Sequence, residues 1–165
     1  MKRTTTHTES HLRRCARRAA AMAAMLLAAA CASGPYTAEM LAEGGAQLNP
    51  TFDKQPSAVN VRVFRLIDRA AFDNANEADL RAEKPVLTAG AWVAPHGEHV
   101  VYVGQKSWIP VEIKPEVKFV GVFGLFNEDT GTHRRVLTID ELKAQKLVFD
   151  GFQIAVEPRG KGDTK

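Results

Sequence analysis

Apolar and polar side chains alternate most cleanly over Val59-Asn60-Val61-Arg62-Val63, with the three valines on one face and Asn60 and Arg62 on the other. Such period-two alternation in β-branched residues predicts a half-buried strand. Phe64 and Leu66 then put apolar groups on the second face. Either a bulge shifts the register there, or another element covers that face. Arg69 to Phe72 and Asn76 to Arg81 have helix-forming composition. They offer Phe72 and Leu80 as cover for Phe64 and Leu66. The pattern predicts further short strands at Ala46-Gln47-Leu48, at Pro85-Val86-Leu87, and from Glu98 to Val103 after a Pro95-His96-Gly97 turn. Trp108 to Ile113 is extended but contains Pro110, which suits an edge strand. Lys118 to Phe126 is apolar on both alternations, as a central strand covered on both faces requires. Its Gly121 and Gly124 leave room for close approach. Asn127 to Gly131 is turn chemistry, and Arg134 to Leu137 returns as a strand. Thr138-Ile139-Asp140-Glu141 has the spacing of a capping box. Asp150-Gly151 turns a hairpin between Leu147-Val148-Phe149 and Phe152 to Val156. Six to eight short strands with short helical insertions predict an all-β fold, a β-sandwich.

The N-terminal pattern is different. Residues 19–30 form an apolar run of twelve behind the basic stretch Arg13-Arg14-Cys15-Ala16-Arg17-Arg18. Twelve residues are too few to span a bilayer as a helix, which takes about 20. A basic region, a short apolar region and small residues at the boundary make a secretory signal peptide. Leu27-Ala28-Ala29-Ala30-Cys31 resembles a bacterial lipobox, although the usual leucine position is Ala28 and Leu27 stands one further back. The resemblance implies that Cys31 is lipidated and becomes the first mature residue. Ala32, where an aspartate would resemble an inner-membrane retention signal, implies the outer membrane. The alternative is an ordinary secreted protein with one free thiol. The expected organisation is a signal peptide over 1–30, lipidated Cys31 with a flexible stem over 31–45, a sandwich over 46–158 and a polar, disordered tail over 159–165. Ser33-Gly34-Pro35 and Gly44-Gly45 give the stem its flexible composition.

Charge and composition narrow the function. The 165 residues carry +3 in all. Lys2, Arg3, Arg13, Arg14, Arg17 and Arg18 against Glu9 put +5 in the leader, which leaves −2 for the mature chain. A nucleic-acid partner therefore has no electrostatic basis. Of the two cysteines, Cys15 is in the leader, so the mature domain has no internal disulfide and must hold by packing. The mature serines Ser33, Ser57 and Ser107 lie in no nucleophile elbow, and neither a phosphate-binding glycine loop nor an HExxH motif is present. His96-Gly97-Glu98-His99 is the best metal candidate. Pro95 and Gly97 break the helix that would align its imidazoles, and His133 is remote in sequence, so a polar turn is the better reading. Trp92 and Trp108 read as binding anchors or as core-edge packing, and Asp140 and Glu141 as a cap. No cofactor, metal or small-molecule substrate is expected beyond the lipid on Cys31.

Taken together, the lipobox cysteine, Leu48-Asn49-Pro50 with Pro56, and Val59 to Leu66 resemble the TssJ family, the outer-membrane lipoproteins of type VI secretion systems. Phe64-Arg65 stands where the family has Tyr-Gln, and Lys118 to Phe123 is similar to its Tyr-(Ile/Leu)-Gly-Val-Val-Ala strand. The sequence departs from the family at Leu125-Phe126 and at Arg134-Arg135, where a tryptophan is missing. The resemblance spans residues 27 to 157. It implies a transthyretin-like β-sandwich and a structural role, anchoring the trans-envelope complex by binding the periplasmic C-terminal domain of TssM, an inner-membrane protein. It also implies that the loop between the first two strands makes part of that contact, here Asn49, Pro50, Thr51, Phe52, Asp53, Lys54, Gln55, Pro56 and Ser57. The loop gives its own reason. Phe52 is a large apolar side chain in a polar stretch, and two prolines restrict the backbone, so less entropy is lost on binding. Folding of Phe52 back onto the sandwich edge is the competing reading. Two other functions remain open. One is a periplasmic transthyretin-like hydrolase, which needs His96, His99 and His133 to converge. The other is a general outer-membrane assembly lipoprotein.

Overall fold

The three valines of the clearest strand turn inward together, at 1% exposure or less. The structure, a computed structural model, describes residues 34–82 and 93–163. In chain order the strands are β1 (Tyr36–Gly44), β2 (Val59–Leu66), β3 (Val93–Val101), β4 (Lys106–Ile113), β5 (Phe119–Leu125), β6 (Arg134–Thr138), β7 (Gln145–Asp150) and β8 (Gln153–Pro158). Among the described residues the helices are short: α1 (Ala70–Asn74), α2 (Glu77–Arg81) and α3 (Ile139–Ala144). The strands form two four-stranded sheets, β4-β1-β7-β8 and β3-β2-β5-β6. Among the described strands, only β1 and β7 pair in parallel. Between the sheets, Val59, Val61, Val63, Val120 and Val122 meet Met40, Ala42, Ile109, Val111, Leu147 and Phe149. The fold is the expected all-β sandwich.

Phe64 and Leu66 satisfy both readings of the register change. A bulge lies between Val63 and Phe64 in the pairing with β3, where Val63 faces Gly97 and Phe64 faces Pro95. The helices also cover the outer face, where Phe64, Leu66 and Phe123 pack with Phe72 and Leu80. The Phe64 and Phe72 rings lie 5.3 Å apart. β5 is central and apolar on both faces, as its sequence requires. A Cβ on Gly121 would come within 3.0 Å of the Phe72 ring, so the helix rests on that glycine. The turn expected at Pro95-His96-Gly97 is instead the bulge inside β3, with Gly97 at φ +145.

Three boundaries differ from expectation. The stem expected over 31–45 is a strand from Tyr36 onward, and the strand expected at Ala46-Gln47-Leu48 is a turn. Tyr36–Gly44 is rich in helix-favouring residues, but β4 and β7 pair with it on either side and override that preference. Ala38, Met40 and Ala42 point into the core. Leu41, on the other face, is buried beside its cross-strand neighbour Trp108. The tail is the third difference, because its described part is docked. Arg159 donates to the carbonyls of Gln145, Glu39 and Leu142 at 2.9, 2.8 and 2.7 Å, and its guanidinium covers the Trp108 ring at 4.9 Å. Asp163 pairs with Lys106. Trp108 is thus a packed core-edge residue. Pro85-Val86-Leu87, Trp92, Cys31 and the His96 side chain lie outside the described residues.

Candidate functional site

β1 runs antiparallel to β4 and parallel to β7, so the connection leaving β1 meets the β3–β4 turn and the β7–β8 turn at one end of the sandwich. Gly44 N–H donates to the Gln105 carbonyl at 2.9 Å, and Gly104 N–H to the Gly44 carbonyl at 2.8 Å. Gly151 N–H donates to the Gln47 carbonyl at 3.0 Å, and Asn49 N–H to the Gly151 carbonyl at 2.8 Å. The 126–133 connection joins the same end, because Leu125 pairs with Asn60 at the start of β2. A shallow cleft there is lined by Gln47, Thr130, Gly131, Asp150, Gly151, Phe152 and Gln153.

The 49–57 loop leaves this end with a closed base. Asn49, only 3% exposed, adopts a left-handed φ of 43, which asparagine tolerates better than most residues. Its amide nitrogen donates to Ser57 Oγ at 3.2 Å and to the Ala58 carbonyl at 2.8 Å. Its side-chain oxygen accepts from Asn127 N–H at 2.8 Å. Ser57 Oγ donates to the Asn49 carbonyl at 2.6 Å. The tip is a tight turn: Lys54 N–H donates to the Thr51 carbonyl at 2.8 Å and Thr51 N–H to the Gln55 carbonyl at 2.9 Å. Gln55 N–H adds a bond to Thr51 Oγ1 at 3.2 Å. Phe52 sits inside this turn at 100% exposure.

Of the nine loop residues read from sequence, Asn49 and Ser57 close the base, and Pro50 and Pro56 are half-buried. Phe52, Asp53, Lys54 and Gln55 face solvent, as does Thr51. Phe52 does not fold back onto the sandwich edge. Sequence reasoning missed Asn127 as a clamp and Tyr102, 50% exposed in the adjoining turn. Nothing in the local sequence marks either, because both depend on pairing between distant strands.

Among the described residues, His99 and His133 do not share a cleft. His99 lies on β3 and His133 just before β6, the two outer strands of one sheet. His133 is buried, with Nε2 2.8 Å from the Thr130 carbonyl and Nδ1 3.2 Å from Glu77 Oε2. Glu77, Asp129 and His133 bring ligand atoms within 4.8 Å of one another. Arg81 occupies that cluster, 2.7 Å from Asp129 and 3.9 Å from Glu77, and lies over the Phe123 ring at 5.7 Å. A guanidinium among the carboxylates makes this an ion-pair staple between α2 and the 126–133 connection, not a place for a cation.

Comparison with known proteins gives the class. The family model for type VI secretion lipoproteins (VasD, EvfM, TssJ) matches residues 37–157, more than half of the chain. No curated protein matches the sequence. Among solved structures, the lipoprotein TssJ1 of Pseudomonas aeruginosa is 17% identical with a TM-score of 0.56, covering 76% of this chain and 98% of that one. The type VI component Lip of Serratia marcescens is 16% identical with a TM-score of 0.58, covering 75% and 97%. A chain in the structure of the TssM C-terminal domain from EAEC is 22% identical with a TM-score of 0.61, covering 74% and 98%. These structures share the sandwich fold. The chain belongs to the type VI secretion lipoprotein family, a family of membrane-associated structural proteins and not of enzymes.

Proposed function

We propose that this protein, acylated on Cys31, is held in the outer membrane with its domain in the periplasm and anchors a type VI trans-envelope complex there. Its partner is the periplasmic C-terminal domain of a TssM-like inner-membrane protein. The contact is made by the 49–57 loop, with Phe52 as its apolar centre and Asp53, Lys54 and Gln55 as its polar rim. The observation that carries this reading is Phe52, wholly exposed on a turn closed by its own hydrogen bonds. A phenylalanine held out in water on an ordered loop buries large apolar area on docking and loses little entropy. The similar chain solved in a TssM C-terminal domain structure supports the choice of partner.

The test uses the soluble domain and the partner's periplasmic C-terminal domain. Phe52→Ala should weaken binding by about 1–3 kcal/mol, the range of an interface hot spot. Unchanged affinity after replacing the tip with a Gly-Ser segment, in a domain that still folds, would remove the loop from the interface. For the anchor, cells are labelled with a palmitate analogue. Label should be lost in Cys31→Ser, and label persisting at the wild-type level would place the lipid elsewhere.

A further inference from the structure

We infer that the end of the sandwich where β1 begins rests on the lipid headgroups, with Tyr36 and Ile67 in the interfacial layer and the Phe52 end pointing away from the membrane. The inference rests on acylation of Cys31. It follows from the position of β1. Only residues 32–35 separate Cys31 from Tyr36. At about 3.6 Å per residue, that span reaches at most roughly 18 Å however it is arranged. The 15-residue stem that composition suggests would let the domain float free, whereas the actual tether holds it against the surface.

The end that the tether holds there suits an interface. Tyr36 is 46% exposed at the first position of β1, and Ile67 is 36% exposed just past β2. The two lie at the same end, since Tyr36 pairs with Ile113 and the 114–118 turn from β4 bonds through Lys118 N–H to the Leu66 carbonyl. Lys143 Nζ lies over the Tyr36 ring at 5.8 Å, an aromatic-and-lysine pairing of the kind that settles at a membrane–water boundary. Lys114, Lys118, Lys143 and Arg69 are met by Asp68, Asp73, Glu116, Asp140 and Glu141 at this end, which leaves it close to neutral. The contact is therefore with the headgroup layer of any bilayer and does not depend on anionic lipid or on salt. β1 is nine residues long, about 30 Å, and carries the chain from this end to the Phe52 loop.

The experiment uses the full acylated protein in neutral phosphatidylcholine vesicles carrying bromine close to the headgroup. Tyr36→Trp and Ile67→Trp report on the near end and Tyr102→Trp on the far end, each read as the emission added over the unchanged protein. The added emission of both near-end probes should fall at least twofold with brominated lipid, equally at low and high salt, while that of Tyr102→Trp stays constant. Near-end probes unquenched in vesicle-bound protein of acylated mass would overturn the inference. So would shielding that follows protein surface density instead of bromine, which would assign this end to a second copy. Protein that carries no acyl mass and does not float with vesicles would overturn the anchor, a separate failure that takes this inference with it.

Discussion

Asn49 and Phe52 lie three positions apart in one loop and do opposite work. Asn49 is buried and bonds Ser57, Ala58 and Asn127, so two connections are pinned by one amide. Phe52 touches nothing that stabilises the fold. Asn49→Ala leaves Asn127 N–H without its acceptor and puts alanine at a left-handed φ. It should cost about 1–3 kcal/mol in urea unfolding. Phe52→Ala should stay within about 0.5 kcal/mol, as exposed substitutions do. If the two changes cost the same, the loop is not ordered by its base. From sequence, both residues belong to one candidate set, because residue type alone does not separate a clamp from an anchor.

Elements whose signal is local were legible in the sequence. Thr138 with Glu141 forms the predicted capping box: Glu141 N–H donates to Thr138 Oγ1 at 3.2 Å, and Thr138 N–H donates to Glu141 Oε2 at 2.8 Å. The backbone bond from Thr138, with its hydroxyl bond second, holds the Glu141 carboxyl below its ordinary 4.5. The Lys106 ammonium likewise lowers Asp163 below 3.8. Because these carboxylates bind protons less readily when folded, their stabilisation is present above those ordinary values and is lost as pH falls. Glu141→Gln should therefore lower stability near neutrality and flatten its decline between about pH 5 and pH 3, measured by unfolding across that range. An unchanged slope would mean the Glu141 carboxylate contributes nothing through its bonds to Thr138. By contrast, β1 was hidden. Ala38, Glu39, Met40, Leu41, Ala42 and Glu43 are helix-favouring or neutral in isolation, and only the partners on either side make them a strand.

For the whole molecule, that hidden strand decides where the domain starts. The sandwich pattern, the covered β5, the helical insertion and the Asp150-Gly151 hairpin could all be read from the chain, since each depends on alternation or turn chemistry within a few residues. The sheet order could not. β1 joins β4 to β7, and without it the sheet β4-β1-β7-β8 separates into a lone strand and a hairpin. Met40, Leu41 and Ala42 would leave the core together, and the Arg159 bond to the Glu39 carbonyl would go with them. A fragment starting at Ala46, the boundary suggested by composition, should thus fail to fold, while one starting at Pro35 should unfold in a single cooperative transition. Met40 and Leu41 at about 2–5 kcal/mol each come to about 4–10, comparable to the roughly 5–15 kcal/mol by which a domain is stable, before the lost pairing of β1 with β4 and β7 is counted. Thermal melts by far-ultraviolet dichroism separate the cases. A cooperative β-type melt from the shorter fragment, at a midpoint within a few degrees of the longer one, would make β1 dispensable and return residues 36–45 to the tether.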